Sequence, residues 1–321
     1  MTRIVYLTFP DGQIRGGVKM QLRHVETLRD LGFDAVLWTN HESHWPAALA
    51  PRVPVEVDVP LAPNDLVVAP EDALHAVARL REAGMRMVLF CQGSLVFGAH
   101  TLAALDAFPA DRFPPIVSVG RQLSALIRRC YPQAAVELVP CFADERVFHP
   151  RGPRAAAIAC IPRKRPMEAE FLRRTFRKLH PGHATRPWRF VQDAGELQVA
   201  EILAACDLFV SLSRLEAVGL TPLEAMASGA LCVGFTGIGG RDFATPDNGF
   251  WVDEDDCLAA VDALAQAADL LASGGPALQR RLDAGRQTAS EWSYATFRAA
   301  LEETWMRLAP EARVKAGPLD A

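Results

Sequence analysis

The sequence predicts an α/β protein made of two doubly wound domains, each a parallel sheet covered by helices. Three observations predict it. Short apolar runs alternate with amphipathic helical runs from the first residues onward. The alternation stops at a polar, proline-containing stretch and then restarts, and 321 residues exceed what one ordinary core encloses. Half the residues are hydrophobic and 22% are charged, so each half carries enough apolar material for a core of its own.

The elements follow in order. RIVYLTF (3–9) reads as a strand, and VKMQLRHVETLRDLGF (18–33) sets Val18, Leu22, Val25, Leu28 and Leu31 on one face at helical spacing. DAVLWTN (34–40), LVVAPE (66–71), MRMVLFCQG (85–93), IVSVG (116–120) and VELVP (136–140) are further strands, with QLSALIRRC as the helix before the last. FADERVFHPRGPR (142–154) is polar, contains Pro150 and Pro153, and reads as a linker. A first domain over 1–150 and a second over 151–290 are expected. In the second, AAAIACIP (155–162), WRFVQ (188–192), LFVSLS (208–213) and GFWVD (249–253) are strands, and MEAEFLRRTFRKLH and LQVAEILAACD are helices. Trp292, Tyr294, Phe297, Leu301, Trp305 and Leu308 give a terminal helix over 291–308 an apolar load that must dock, in part on the first domain. Residues 309–321 have no periodicity and are expected to fray. Proteins of this class bind ligands at the carboxyl ends of their strands, so two such domains predict a cleft between those ends.

Composition narrows the function. A formal net charge of -4 gives no field for a polyanion, and nucleic acid is not expected as a partner. Nine basic residues do crowd 163–189, but Phe171, Leu172, Phe176 and Leu179 form an apolar stripe among them, so the charges read as one solvated helix face. Arg128 and Arg129 could touch anionic lipid, yet basic and acidic side chains nearly balance over residues 1–150. Membrane contact is therefore expected to be peripheral at most, at the inner face. Seven scattered cysteines without a CxxC pair, and eight histidines without ligand spacing, predict no disulfide framework and no metal site. MTRIVYLTFPDG lacks a signal peptide's apolar region and no run approaches a membrane span, so a cytoplasmic location is expected.

The densest signal is RLEAVGLTPLEAMASGALCVGFTGIGG (214–240). After the strand LFVSLS, the residues T-P-L-E match a capping box: Thr221 as N-cap, Pro222 opening the helix, Glu224 as its third residue, and Gly229 ending it. Gly219 lets a ligand approach the backbone, and the N–H groups of the helix start suit an anion, best a phosphate. Glu224 could do no more than complete the cap. Alternatively its two oxygens suit a vicinal diol such as a ribose. Glu216, at the strand end, has no capping role and is otherwise a solvated loop carboxylate.

At this point the sequence resembles a family. E-A-V-G-L-T-P-L-E has the E-x7-E spacing of retaining glycosyltransferases of the GT-B fold, and EAMASGALCVGFTGIGG is similar to the run that follows it in glycosyltransferase family 4. PDNGFWVDEDD, VPCFADERVFHP and EWSYATFRAALEETW resemble that family's later segment, interdomain linker and terminal helix, so the resemblance spans most of the chain. It implies two Rossmann-like domains facing across a cleft, and a retaining transferase that moves a sugar from a nucleotide-sugar donor to a glycan, lipid-linked or small-molecule acceptor. It implies that Glu224 takes the ribose hydroxyls, that Glu216 lies near the transferred sugar, and that Gly219, Leu220 and Thr221 line the donor. Arg163 and Lys164, adjacent here rather than separated by a short insertion, fall where the family places its diphosphate-binding cations. Those cations would stabilise the leaving group with no obligatory metal or other cofactor. Gly16 and Gly17 fall at the strand-to-helix turn that the family sets against the donor phosphates, although a tight turn needing positive φ explains them equally well. Gln92 stands where many relatives carry a His. It can hydrogen-bond an acceptor hydroxyl but cannot titrate. The region between Lys164 and LFVSLS is short, which predicts a smaller second sheet. Two other readings compete: a nucleotide-sugar epimerase of the same fold, and a non-catalytic glycan- or nucleotide-binding relative.

Overall fold

The computed structural model describes residues 2–13, 16–163, 165–192 and 194–314, apart from the side chain of Ala48. The chain divides into two compact units, one of residues 1–140 with 298–321, the other of residues 141–297. Each contains a parallel β-sheet.

Unit 1 carries strands β1 (Ile4–Leu7), β2 (Ala35–Thr39), β3 (Val55–Val57), β4 (Leu66–Pro70), β5 (Met87–Cys91), β6 (Ile116–Ser118) and β7 (Val136–Leu138), in spatial order β3-β2-β1-β4-β5-β6-β7. Every pairing is parallel, with Ile4 opposite both Ala35 and Leu66. Strands β1, β4 and β5 are buried along their whole length, as expected of a sheet with helices on both faces. The order reverses between β1 and β4, and a ligand crevice opens at such a reversal in doubly wound sheets. Strand β3 was not legible in the sequence. Its valines do alternate with polar residues, but the strand is only three residues long, half-buried at the sheet edge, and flanked by Pro54 and Pro60, which argue against a strand.

Unit 2 carries β8 (Ala155–Cys160), β9 (Trp188–Phe190), β10 (Cys206–Ser213), β11 (Leu231–Thr236) and β12 (Gly249–Val252), in spatial order β12-β11-β10-β8-β9. This five-stranded sheet is smaller than the first, and its order reverses between β8 and β10. Its core joins Ile158, Val210 and Val233 on the strands to Leu172 and Phe176 on the helix Pro166–Leu179. Val261, Leu264, Ala267 and Ala268 of the helix Cys257–Ser273 complete it. That helix and its successor Gly275–Glu291 were also absent from the sequence reading. The first is rich in buried alanine, which blurs helical periodicity, but Asp256 caps it by accepting from the Ala259 N–H at 2.9 Å.

The helix Tyr294–Leu308 begins with its N–H groups on Glu145, whose carboxylate accepts from Tyr294 N at 2.6 Å and Ala295 N at 3.2 Å. Its residues to Phe297 belong to unit 2 and those from Arg298 to unit 1, where Trp305 is fully buried beside Tyr6. The expected fraying after it is corrected for residues 310–314. Asp34 N donates to Ala312 O and Val314 N to Gly32 O, each at 2.8 Å, and Arg86 pairs with Glu311 at 2.9 Å. Backbone pairing of this kind leaves no periodic trace. Residues 315–321 lie outside the described residues. No single helix among the described residues is long and apolar enough to cross a membrane.

Candidate active site

In unit 2 the informative end of the sheet is the carboxyl end, where β8, β10, β11 and β12 deliver their loops. β10 stops at Ser213, and the loop from Arg214 to Gly219 is folded on itself: the Glu216 carboxylate accepts from Arg214 N at 2.6 Å. The loop is also fastened to the turn after β11. Ile238 N donates to Arg214 O at 2.9 Å and Gly239 N to Glu216 O at 3.0 Å. The packing there is so close that a Cβ on Gly239 would lie 2.0 Å from the Ala217 carbonyl oxygen. GIGG is thus a contact surface for the loop that holds Glu216, not a turn requiring left-handed backbone at its glycine pair.

The capping box expected at Thr221 is not formed. Gly219, at φ +76°, is the N-cap, and the helix runs Leu220–Ala227. Thr221 and Pro222 are its second and third residues and Glu224 its fifth, out of reach of a capping-box position. The chain leaves β10 through a left-handed residue that glycine adopts without penalty, which starts the helix two residues earlier than the hydroxyl and proline suggested. Leu220 and Thr221 therefore present N–H groups with no acceptor inside the helix, and Pro222 has none to satisfy. The C-terminus is as expected: Gly229, at φ +84°, follows the last turn, and Ala230 N reaches back to Ala225 O at 2.9 Å. Glu224 is 9% exposed. It lies in the second turn of the helix, where the cap does not account for it.

Arg163 is exposed at the turn after β8, while Lys164 lies outside the described residues. The third base of the same run, Arg165, was not singled out in the sequence and proves to be the most committed. It is 5% exposed, bonds Glu168 and Glu254 at 3.0 Å each, contacts Asp255, and lies over the Phe235 ring. Burial alone would lower its pKa, but the hydrogen bonds to Glu168 and Asp255 outweigh burial and hold the guanidinium above its ordinary value. Burial raises the Glu254 pKa in turn, with Arg165 opposing. Asp255 also takes Arg214 at 3.1 Å. Arg165 thus ties the ends of β8, β11 and β12 together and is engaged by protein carboxylates.

In unit 1, Gly16 and Gly17 do not form a positive-φ turn. They open the helix Gly16–Asp30 in ordinary helical backbone. Gly17 packs closely on Gln92: a Cβ there would lie 3.3 Å from Gln92 Nε2. The structure therefore brings Gly17 and Gln92 together, at the ends of β1 and β5. Beside them is a residue that the sequence reading passed over, Glu71, which follows β4 directly. Its signal was the single acid closing the apolar run LVVAPE. Among the described residues no group of His, Cys, Asp or Glu is arranged to hold a metal ion.

Comparison with known proteins accords with this arrangement. Residues 164–271 match the family model described as glycosyl transferases group 1. The chain is 24% identical over 289 residues to an alpha-1,6-glucosyltransferase of Actinobacillus pleuropneumoniae serotype 7, covering 84% of each protein. Among solved structures it is similar to sucrose-phosphate synthase from Thermosynechococcus elongatus, with a TM-score of 0.70 at 15% identity over 96% of this chain and all of that one. It is equally similar to HepE from Anabaena in complex with UDP, with a TM-score of 0.70 at 17% identity over 95% of this chain and all of that one. HepE is also known in complex with UDP-glucose. Two parallel-sheet units and these neighbours show the GT-B fold, and the second unit is similar to the group 1 glycosyltransferases.

Proposed function

We propose that this glycosyltransferase moves a sugar from a nucleotide-sugar donor to a glycan, lipid-linked or small-molecule acceptor, with retention of anomeric configuration and no obligatory metal. One observation carries the reading: the carboxyl end of the unit 2 sheet gathers Glu216, the helix start at Gly219–Thr221 and the exposed Arg163, with Glu224 buried in the same helix. Each residue type suits one part of a nucleotide sugar. The Leu220 and Thr221 N–H groups and the positive end of their helix favour phosphate oxygens. Arg163, with Lys164, supplies positive charge as the diphosphate departs. The Glu224 carboxylate would accept from the two ribose hydroxyls, and Glu216 would orient the sugar. Gly16 and Gly17 would admit the donor phosphates to unit 1, and the Gln92 amide would bond an acceptor hydroxyl. The HepE complexes with UDP and UDP-glucose support the donor class.

In the transfer itself, the bond from the anomeric carbon to the phosphate oxygen breaks and its electron pair leaves with the nucleoside diphosphate. The acceptor oxygen bonds the same carbon on the same face, and its proton passes to the departing phosphate oxygen. This route requires a firmly held diphosphate and no protein base, which suits a site where Gln92 cannot titrate. The test is proton NMR of the first product formed from UDP-glucose and a panel of acceptors. An α-linked product from the α-configured donor is expected, and a β-linked product overturns the mechanism. Donor incubated alone should persist; its conversion to an isomeric nucleotide sugar would favour the epimerase reading instead.

A further inference from the structure

The donor assignment leaves one buried group in unit 1 without a task. Glu71 is the first residue after β4, at the reversal of strand order between β1 and β4, and it is 5% exposed. Its surroundings interlock with Gln92. The backbone N–H groups of Gln92 and Gly93 both hydrogen-bond the Glu71 side chain. The approach is close, since a Cβ on Gly93 would lie 3.3 Å from Glu71 Oε1. On the other side of the same turn, the Gln92 amide fills the space above Gly17. The Thr101 hydroxyl donates to the Glu71 carbonyl at 2.9 Å and fixes the backbone of the acid itself. Glu71 is thus joined to the turn, and the turn to the start of the helix Gly16–Asp30.

We propose that Glu71 is a positioning residue for the acceptor side of transfer: in its neutral, protonated form it clamps the Gln92–Gly93 turn and so keeps the Gln92 amide over Gly17. The proposal rests on the acceptor role given to Gln92 above. The protonation state follows from the geometry. Glu71 Oε2 is buried and makes no hydrogen bond, and an unpaired buried oxygen is far less costly on a neutral acid than on an anion. The groups facing the carboxyl add no positive charge. They are the buried Cys91 thiol, held protonated chiefly by burial and then by Glu71 itself, and the exposed carboxylate of Asp72, which repels a second negative charge. Burial, with a smaller contribution from Asp72, pushes the Glu71 pKa up to about 8 against the opposing N–H bonds. A protonated carboxyl is not a base, so Glu71 serves transfer through Gln92 and leaves the acceptor proton to the departing phosphate.

Three measurements test this on the full chain. Infrared difference spectra should contain a protonated-carboxyl band at pH 6 that is lost near pH 8 and is absent from Glu71→Gln. Amide hydrogen exchange at Gln92 and Gly93 should quicken about tenfold in Glu71→Ala, the cost of a lost hydrogen bond, but by less than about threefold in Glu71→Gln at pH 7. With UDP-glucose as donor and p-nitrophenyl glycosides as acceptors, kcat/KM for the acceptor should fall above pH 8 in the wild type and stay level in Glu71→Gln, while UDP affinity is unchanged in both. A missing carboxyl band, Glu71→Gln exchanging as fast as Glu71→Ala, or an alkaline limb surviving in Glu71→Gln would overturn the proposal. If no acceptor reacts with the wild type, the transferase reading fails, while exchange and infrared spectra still decide the clamp.

Discussion

Replacing Gly239 by Ala tests whether loop-to-loop packing is what places Glu216. Gly239 has no positive φ, so the backbone accepts alanine without torsional strain and the effect is one of contact alone. The added Cβ would meet Ala217 O at 2.0 Å, Ala217 C at 2.1 Å and Val218 N at 2.3 Å, all backbone atoms that no rotamer change can move. Ordinary contact distances are ~3.5 Å, so one loop must retreat by about 1 Å or more. Overpacking of this kind costs about 1–3 kcal/mol. The retreat also breaks the bonds from Gly239 N to Glu216 O and from Ile238 N to Arg214 O, each contributing about 1 kcal/mol. A loss of roughly 3–5 kcal/mol follows, or a fall of about 6–20 °C in Tm for a unit of this size. Turnover should fall about 100-fold, since a displacement of ~1 Å at a reacting group is enough for that. Gly240→Ala is the control. Its Cβ would lie 3.2 Å from Thr236 Cβ, an approach that a shift of a few tenths of an ångström relieves, so a loss below about 1.5 kcal/mol is expected. Urea unfolding and kcat with UDP-glucose measure both. If Gly239→Ala is no less stable than Gly240→Ala and keeps its turnover, the loops are not coupled as described.

Glu224→Ala should weaken UDP binding by roughly 1.5–3 kcal/mol in calorimetry while leaving the helix start intact, because Gly219 and not Glu224 makes the cap. Unchanged affinity would remove Glu224 from the donor site. Arg163→Ala combined with Lys164→Ala should lower kcat at least about 100-fold with the fold unchanged by circular dichroism. Full activity should persist in excess chelator, and loss there with recovery on adding a divalent metal would contradict the assigned leaving-group cations. Stability should respond to pH on both sides of neutrality. Glu71, raised from 4.5 to about 8 by burial, stabilises fully below pH 4.5 and loses that contribution as pH rises to 8, at most about 5 kcal/mol, so wild type should fall relative to Glu71→Gln over that window. His24, lowered from 6.5 to about 3 by burial, acts oppositely, and its contribution is lost as pH falls from 6.5 to 3. The windows overlap from pH 4.5 to 6.5, where the two slopes oppose, so denaturant titrations at pH 3.5 and 4.5 read His24 and those at pH 6.5 and 8 read Glu71.

The sheets were legible because buried parallel strands are apolar along most of their length: β1, β4 and β5 are buried throughout, and β10 and β11 over all but one or two residues. What the sequence hid was set by contacts more than by periodicity. β3 is held at an edge by pairing with β2, and residues 310–314 by backbone bonds to Gly32 and Asp34. At the site, spacing found Glu216, Glu224 and Gly219 but misjudged how Glu224 is placed. A hydroxyl and a proline before an acid look like a cap whether or not the helix has already begun, and here a left-handed glycine began it earlier. Glu71 was hidden for a related reason. A single acid at a strand end is commonplace, and only its burial and its link to the turn of Gln92 set it apart.

The three bases of RKRP show why position within a motif decides role. Arg165 can reach Glu168, Glu254 and Asp255 because the helix Pro166–Leu179 begins just after it and the loop beyond β12 carries two acids to the same place. Drawing a guanidinium away from three carboxylates to meet a phosphate would leave acids with no counter-charge, a loss that a new ion pair does not recover. Arg165 is therefore a structural tie between strand ends. The same tie keeps its carboxylates from acting as a second anionic field toward a diphosphate, since Arg165 and Arg214 both neutralise Asp255. Arg163, proposed above to carry charge for the leaving group, is instead exposed at the turn after β8, at the reversal of strand order between β8 and β10. A motif read as two cations for one phosphate thus includes a third base that locks the loops, and the ligand-facing role proposed above rests with those before it.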